Sequence, residues 1–324
     1  MSTKLHQRWG WFVFLGLFVT LLSAATGRAG ITTLYSTQFE AAEGYNANLD
    51  LIGQNGWTGS GSGGNGLVTN YFPGVGGLQQ AYIGYNPPLP NEVFLSTWRA
   101  INLAPVPTNT PIVKFSVLLG IYGSDNGERD DFYWSVYNSH GDRLFTLDFD
   151  NYYLNVYYGL DGTNKLVTTG RTFTNNIPYT LLITMNYAQN QWSATLGGVG
   201  LVTNKPITTV GAPLNLGDID AVWSVFTTNA PGNNYMVFDN YLVTAETVSI
   251  PPAKLATLGR TADNQFLLRL TGPSGYRYAI EATTNLVNWV ALKTNVVSDG
   301  SFDYVDTTAP NFPRRRYYRA RLVP

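Results

Sequence analysis

Between Asp130 and Tyr158 the chain reads DDFYWSVYNSHGDRLFTLDFDNYYLNVYY, and apolar positions alternate with polar ones. Phe132, Trp134 and Val136 share one face of a first run. A loop of Asn138, Ser139, His140, Gly141 and Asp142 turns the chain, and in the second run Phe145, Leu147 and Phe149 alternate with Thr146, Asp148 and Asp150. A period of two marks a half-buried strand, because successive side chains point to opposite faces. The same pattern predicts strands at Thr33 to Glu40, Gln79 to Tyr85, Val93 to Ile101, Pro111 to Tyr122, Tyr179 to Met185, Trp192 to Leu196, Asp220 to Thr227 and Tyr235 to Thr244. The Gly, Asn and Ser rich run from Gly53 to Gly77 reads as long ordered loops with Trp57 tucked beneath them. With turn signals such as Asp161-Gly162 and Gly197-Gly198 roughly every 8 to 12 residues, the expected fold is all-β, a large two-sheet jelly-roll sandwich over residues 30–248.

Paired prolines at Pro251 and Pro252 place a linker at 249–256. Beyond it, alternating runs at Gln265 to Thr271, Tyr276 to Thr283, Trp289 to Lys293, Ser301 to Val305 and Tyr317 to Val323 predict a small C-terminal β-sandwich over 257–324. Arg314, Arg315, Arg316, Arg319 and Arg321 form a basic strip, with Arg319 and Arg321 on one face; a solvated strand face paired with Asp303 and Asp306 is expected there. Trp289 and Tyr278 are expected in the core, as are Trp57, Trp98, Trp134, Trp192 and Trp223.

Residues 1–29 carry Lys4 and Arg8, an apolar run from Trp11 to Leu22, and then small residues, which is the layout of a secretory signal peptide. The run is shorter than the roughly 20 residues a spanning helix needs, although an uncleaved anchor is the alternative. The expected location is therefore secreted or cell-surface. Cysteine is absent, so core burial alone must hold the fold together. The 20 basic and 21 acidic residues leave no footprint for nucleic acid or a membrane surface. With only His6 and His140 in the chain, zinc sites and nucleophilic triads lack their usual parts, and His140 is expected to be a solvated loop residue.

The runs FYWSVYN, GDRLFTLDFDN, LNVYY, YTLLITMNYAQNQWSATLGG and MVFDNYLV resemble the concanavalin A-like lectin and glucanase superfamily, in particular its laminin-G-like branch, over residues 31–246. The C-terminal run GYRYAIEATTNLVNWVAL resembles the fibronectin-III-like or immunoglobulin-like module of secreted bacterial proteins. The first resemblance implies a domain that binds or cleaves polysaccharide, by analogy of fold.

β-Glucanases of that fold carry an E-x-D-x-x-E strand motif whose two glutamates serve as nucleophile and acid about 5 Å apart. Here Glu128 and Asp130 match the first two acidic positions, Tyr133 stands where the second glutamate belongs, and alternation assigns Asp131 to the opposite face. The motif is incomplete, so catalysis is not expected. The resemblance also implies one structural calcium held by Glu40, at the end of the first strand, and Asp239, in the last. Tyrosines are abundant, and aromatic rings serve as platforms for the apolar faces of sugars. The candidate ligand-binding set is Tyr133, Tyr137, Tyr153, Tyr157, Asp148 and Asp150. The expected function is an exported, monomeric, non-catalytic carbohydrate-binding protein whose partner is an extracellular polysaccharide or cell-surface glycan. The alternatives are a divergent glycoside hydrolase or polysaccharide lyase using Glu128, Asp130, Asp148 or Asp150, and a surface scaffold without a glycan ligand.

Overall fold

The computed structural model describes residues 30–163, 165–247, 251–312 and 315–323. The expected signal peptide and Arg314 lie outside the described residues, as does part of the expected linker. Among the described residues no helix is long and apolar enough to cross a membrane.

The strands in chain order are β1 (Ile31–Thr37), β2 (Trp57–Ser60), β3 (Asn65–Thr69), β4 (Gln79–Gly84), β5 (Phe94–Arg99), β6 (Ile112–Tyr122), β7 (Asp131–Tyr137), β8 (Arg143–Asp150), β9 (Asn155–Leu160), β10 (Val167–Thr172), β11 (Tyr179–Asn186), β12 (Gln191–Leu196), β13 (Val199–Pro206), β14 (Asp218–Ser224) and β15 (Tyr235–Glu246). They form two antiparallel sheets. One has eight strands in the order β13-β12-β11-β6-β15-β4-β3, with β1 also paired to β15; the other has seven, in the order β10-β9-β8-β7-β14-β5-β2. The sheets pack face to face, so the chain is an all-β sandwich. Across the interface Phe145 of β8 stacks on Trp192 of β12 at 4.0 Å, and Phe115 of β6 meets Trp134 of β7 at 5.1 Å. Phe132, Trp134, Val136, Phe145, Leu147 and Phe149 are all fully buried, so the inward set is the one the alternation predicts.

The C-terminal stretch adds β16 (Lys254–Arg260), β17 (Phe266–Thr271), β18 (Arg277–Thr283), β19 (Val290–Val296), β20 (Ser301–Asp306) and β21 (Tyr317–Val323). These form two three-stranded sheets, β16-β17-β20 and β19-β18-β21, around a small core of Leu268, Leu270, Tyr278, Ile280 and Val297.

Several local expectations need correction. The glycine-rich run is not only loop, since it holds β2 and β3, and its glycines permit close backbone approach. A Cβ on Gly61 would lie 2.1 Å from the Phe94 carbonyl oxygen, and one on Gly64 2.1 Å from that of Gly84. β10 and β13 lack a strong apolar alternation because β10 is mostly exposed and lies at a sheet edge, as does β13. Lys254 to Ala256, expected as linker, already belong to β16. Trp98 is only half-buried because it lies on the outward face of β5, beside Thr58. Trp289 is half-exposed as well, and the Arg319 guanidinium lies over its ring at 4.2 Å. Arg319 and Arg321 do share a face, but their carboxylate is Glu281, while Asp306 takes Arg316 and Asp303 takes Arg269.

Candidate functional site

Since Phe132 and Trp134 of β7, Phe145 and Phe149 of β8 and Val156 and Tyr158 of β9 point inward, the residues that alternate with them form the outer face of the seven-stranded sheet. Asp148 of β8 sits between Tyr133 on β7 and Tyr157 on β9, each directly opposite it in register. Toward one end this face hollows into a groove of about 480 Å³, lined by Glu128, Arg129, Asp131, Asp148, Asp150, Tyr152, Tyr153, Tyr157 and Phe226, among others. A smaller hollow of about 280 Å³ lies on the same face and holds Tyr133, Tyr137, Arg143 and Phe94.

The rim of the groove is built by the turn between β8 and β9. Asp150 Oδ1 accepts the backbone N–H groups of Tyr152 at 2.9 Å and Tyr153 at 3.0 Å, a local bond that lets Asp nucleate a tight turn. The next residue, Asn151, donates its N–H to Asp131 Oδ1 at 2.9 Å, so a carboxylate on β7 ties the turn down from below. Tyr152 and Tyr153 are thereby left 63% and 70% exposed, with their rings edge to face at 4.7 Å.

The floor is acidic. Asp148 is 2% exposed, and its buried Oδ1 has no hydrogen-bond partner among the described residues. Burial, reinforced by Asp131 and Asp150, raises its pKa to about 8. Burial likewise raises Asp131 to about 7, against the lowering effect of the Asn151 N–H, with Asp150 and Asp130 adding repulsion. Burial also lifts the Tyr133 phenol to about 12. Along the same face Asp220 accepts from Ser96 Oγ at 2.7 Å, and burial beside Asp218 holds its pKa well above the usual carboxylate range.

The structure gathers Asp148, Asp150, Tyr153 and Tyr157 into one groove and places Tyr133 and Tyr137 in the adjoining hollow. The phase of the acidic motif is reversed from the sequence reading. Asp130 does not face the groove: its carboxylate accepts from Trp223 Nε1 at 3.2 Å, the Phe226 N–H at 3.0 Å and the Gly232 N–H at 2.8 Å, and so anchors the loop after β14. Asp131 faces the groove instead. Glu128 reaches the lining from the preceding loop, outside the strand whose alternation the motif requires. Asp131, Arg129 and Tyr152 join the groove from outside the expected ligand-binding set; counting the alternation back from Trp134 and Phe132 places Asp131 on the same face as Tyr133.

Glu40 and Asp239 do converge, on the loop before β4. Glu40 Oε1 accepts the N–H groups of Leu78 at 2.5 Å and Gln79 at 3.3 Å, and Asp239 Oδ2 accepts that of Gly77 at 2.8 Å. Burial raises the Asp239 pKa, the Gly77 and Asn240 N–H groups lower it, and Glu40 raises it further. Among the described residues no group of three or more His, Cys, Asp or Glu side chains is close enough to hold a metal ion.

No family model matches the chain, and no curated protein matches it. Similar solved structures include a sialidase, at 8% identity and a TM-score of 0.44, over 65% of this chain and 18% of the sialidase, so the chain spans less than a fifth of that protein. A carbohydrate esterase from the Shiga toxin-encoding bacteriophage phi24B shows 16% identity and a TM-score of 0.43, over 67% of this chain and 99% of the esterase. A GH131 beta-glucanase catalytic domain from Podospora anserina shows 13% identity and a TM-score of 0.42, over 65% and 95%. Likenesses this distant carry no argument about activity.

Proposed function

We propose that this is an exported, non-catalytic carbohydrate-binding protein whose ligand, an extracellular polysaccharide or cell-surface glycan, lies in the groove of the seven-stranded sheet. The observation that carries this reading is the exposed Tyr152–Tyr153 pair, held at the rim of a cavity floored by polar groups. Aromatic rings offer a pyranose an apolar platform, and the carboxyl groups beneath offer its hydroxyls hydrogen bonds. Glycan-array or affinity-electrophoresis binding by the full chain tests it. Replacing both Tyr152 and Tyr153 by Ala should weaken binding about tenfold or more and leave the melting curve unchanged, because both rings are exposed. A blank across neutral and acidic glycans would remove the reading.

One observation favours an enzyme instead: Asp148, whose pKa burial raises to about 8, lies two positions along the strand from Asp150, and a pair of carboxyl groups is what glycoside hydrolysis uses. That reading requires new reducing ends or unsaturated products from a polysaccharide panel, lost in Asp148→Asn. For the C-terminal sheets the proposal is a fibronectin-III-like module. For Glu40 and Asp239 it is one structural calcium, for which these two carboxylates would supply part of a set of 6 to 8 oxygens.

A further inference from the structure

Resting on the carbohydrate reading, the geometry of the groove narrows the class of ligand. We infer that the groove takes an uncharged glycan and turns uronates away: the other acidic side chains lining it repel a second anion, and Asp148, the buried carboxyl with an unpartnered Oδ1, pairs with the neutral sugar.

The charges facing Asp148 come from every element around it. β7 contributes Asp131 and Tyr133, β8 itself contributes Asp150, and β9 contributes Tyr157. The loop before β7 contributes Glu128 and Arg129. Arg129 is the one basic side chain among the groove's lining residues, and its Nη1 is directed to the Asn151 carbonyl oxygen at 3.5 Å. An anionic sugar would therefore bring a further negative charge among the acidic side chains around Asp148, namely Asp131, Asp150 and Glu128, with Arg129 in the groove and Arg143 in the adjoining hollow in compensation. Like charges brought together with little water between them repel strongly.

An uncharged polyol meets no such penalty. A carboxyl group that keeps its proton donates through O–H and accepts through the other oxygen, so it matches sugar hydroxyls in both directions. A sugar ring laid along Tyr133 and Tyr157 also excludes water from the floor, which disfavours ionisation of Asp148 further, since burial is already the main cause of its raised pKa. By linkage, a ligand that raises the proton affinity of Asp148 binds better to the protonated protein, tenfold for each pH unit by which it raises that pKa. Binding should therefore be strongest below the point at which Asp148 titrates and should weaken above it.

The test is calorimetric binding of the full chain to neutral oligosaccharides (β-glucan, xylan and mannan fragments) and to oligogalacturonate and oligoalginate, at about pH 6 and about pH 9. Expected are binding to at least one neutral probe, uronate binding at least about tenfold weaker, and a loss of about tenfold for the neutral probe on raising the pH. Asp148→Asn, which keeps a donor and an acceptor of the same shape but cannot ionise, should lose most of the pH dependence, the remainder belonging to Asp131. As a check that needs no variant, carboxyl NMR titration of the wild type should show the Asp148 pKa rising when the neutral probe is bound. Uronates binding as tightly as neutral probes, a pH-independent wild type, a folded Asp148→Asn protein that keeps the full pH dependence, or an Asp148 pKa that does not rise with the neutral probe bound would each overturn this inference and leave the carbohydrate reading standing. Binding to neither class overturns both.

Discussion

In the C-terminal sheets Glu281 accepts from Arg319 at 2.7 Å and from Arg321 at 2.8 Å, Asp306 pairs with Arg316 at 2.7 Å and with the Tyr318 hydroxyl at 2.9 Å, and Asp303 forms a two-point pair with Arg269. In the groove of the large sandwich, Asp148 is likewise largely shielded from solvent and lies deeper than Glu281, and the groups acting on it are two more carboxyls. Arg321 and Arg319 lower the pKa of Glu281 against the opposing effect of burial, whereas in Asp148 burial and repulsion act together to raise it. Abundance of acid therefore does not mark a site in this molecule. What sets Asp148 apart is that its buried Oδ1 finds no partner among the described residues while the groups acting on it are further carboxyls, an arrangement that costs stability unless something else completes it.

The contrast is broken most severely at Asp306, which is fully buried opposite an Arg316 whose side chain is only 8% exposed. Asp306→Ala leaves that guanidinium without its charge partner, and chemical denaturation should show a loss of about 3–5 kcal/mol in the C-terminal module. The opposite sign is expected in the groove. Below about pH 4 Asp148 is protonated in both the folded and the unfolded chain, and as the pH rises from about 4 to about 8 the unfolded chain releases a proton that the folded chain keeps, so stability falls across that window. Asp148→Asn should remove this loss and stabilise the large sandwich by about 2–3 kcal/mol above pH 8, with little change near pH 4, as read by urea denaturation at both pH values. A destabilised Asn variant would mean that Asp148 has a partner after all.

The third region of paired acid, Glu40 with Asp239, sharpens the comparison by a smaller amount. If calcium completes it, the ion at about ten times its dissociation constant should stabilise the large sandwich by about 1.4 kcal/mol. EDTA should lower its melting temperature and leave that of the C-terminal module alone, and Asp239→Ala should abolish the difference. An identical melting curve in EDTA and in calcium would mean that the protein's own N–H groups, those of residues 77–79 and of Asn240 among them, complete the pair. The smallest effect belongs to Arg269 and Asp303, which are well paired but solvent-exposed. Water screens such a pair, and Arg269→Ala should leave the melting curve within error.

Much of the frame was legible in the chain because burial on a sheet is encoded locally. The alternation of Phe132, Trp134 and Val136 with Tyr133 and Ser135 states which residues go inward before any partner strand is known. The same alternation, counted back from Phe132, separates Asp131 from Asp130. The acidic motif obscured that phase, because it was counted from Glu128 in a loop where no alternation applies. β10 and β16 escaped notice for a different reason: they expose most of their residues, so hydrophobicity leaves little trace of them.

By itself the sequence determined an all-β chain, the inward aromatic set, and the two outward runs that carry Asp148, Asp150, Tyr153 and Tyr157. Only the tertiary structure decided that Asp131 lies beneath the turn bearing Tyr152 and Tyr153, that Asp130 ties down the loop after β14, and that Asp148 Oδ1 lacks a partner among the described residues. These depend on strand register and on the amount of water excluded over each carboxyl group. The proton affinity of a buried acid is set by neighbours that meet across strands, from positions far apart in the chain.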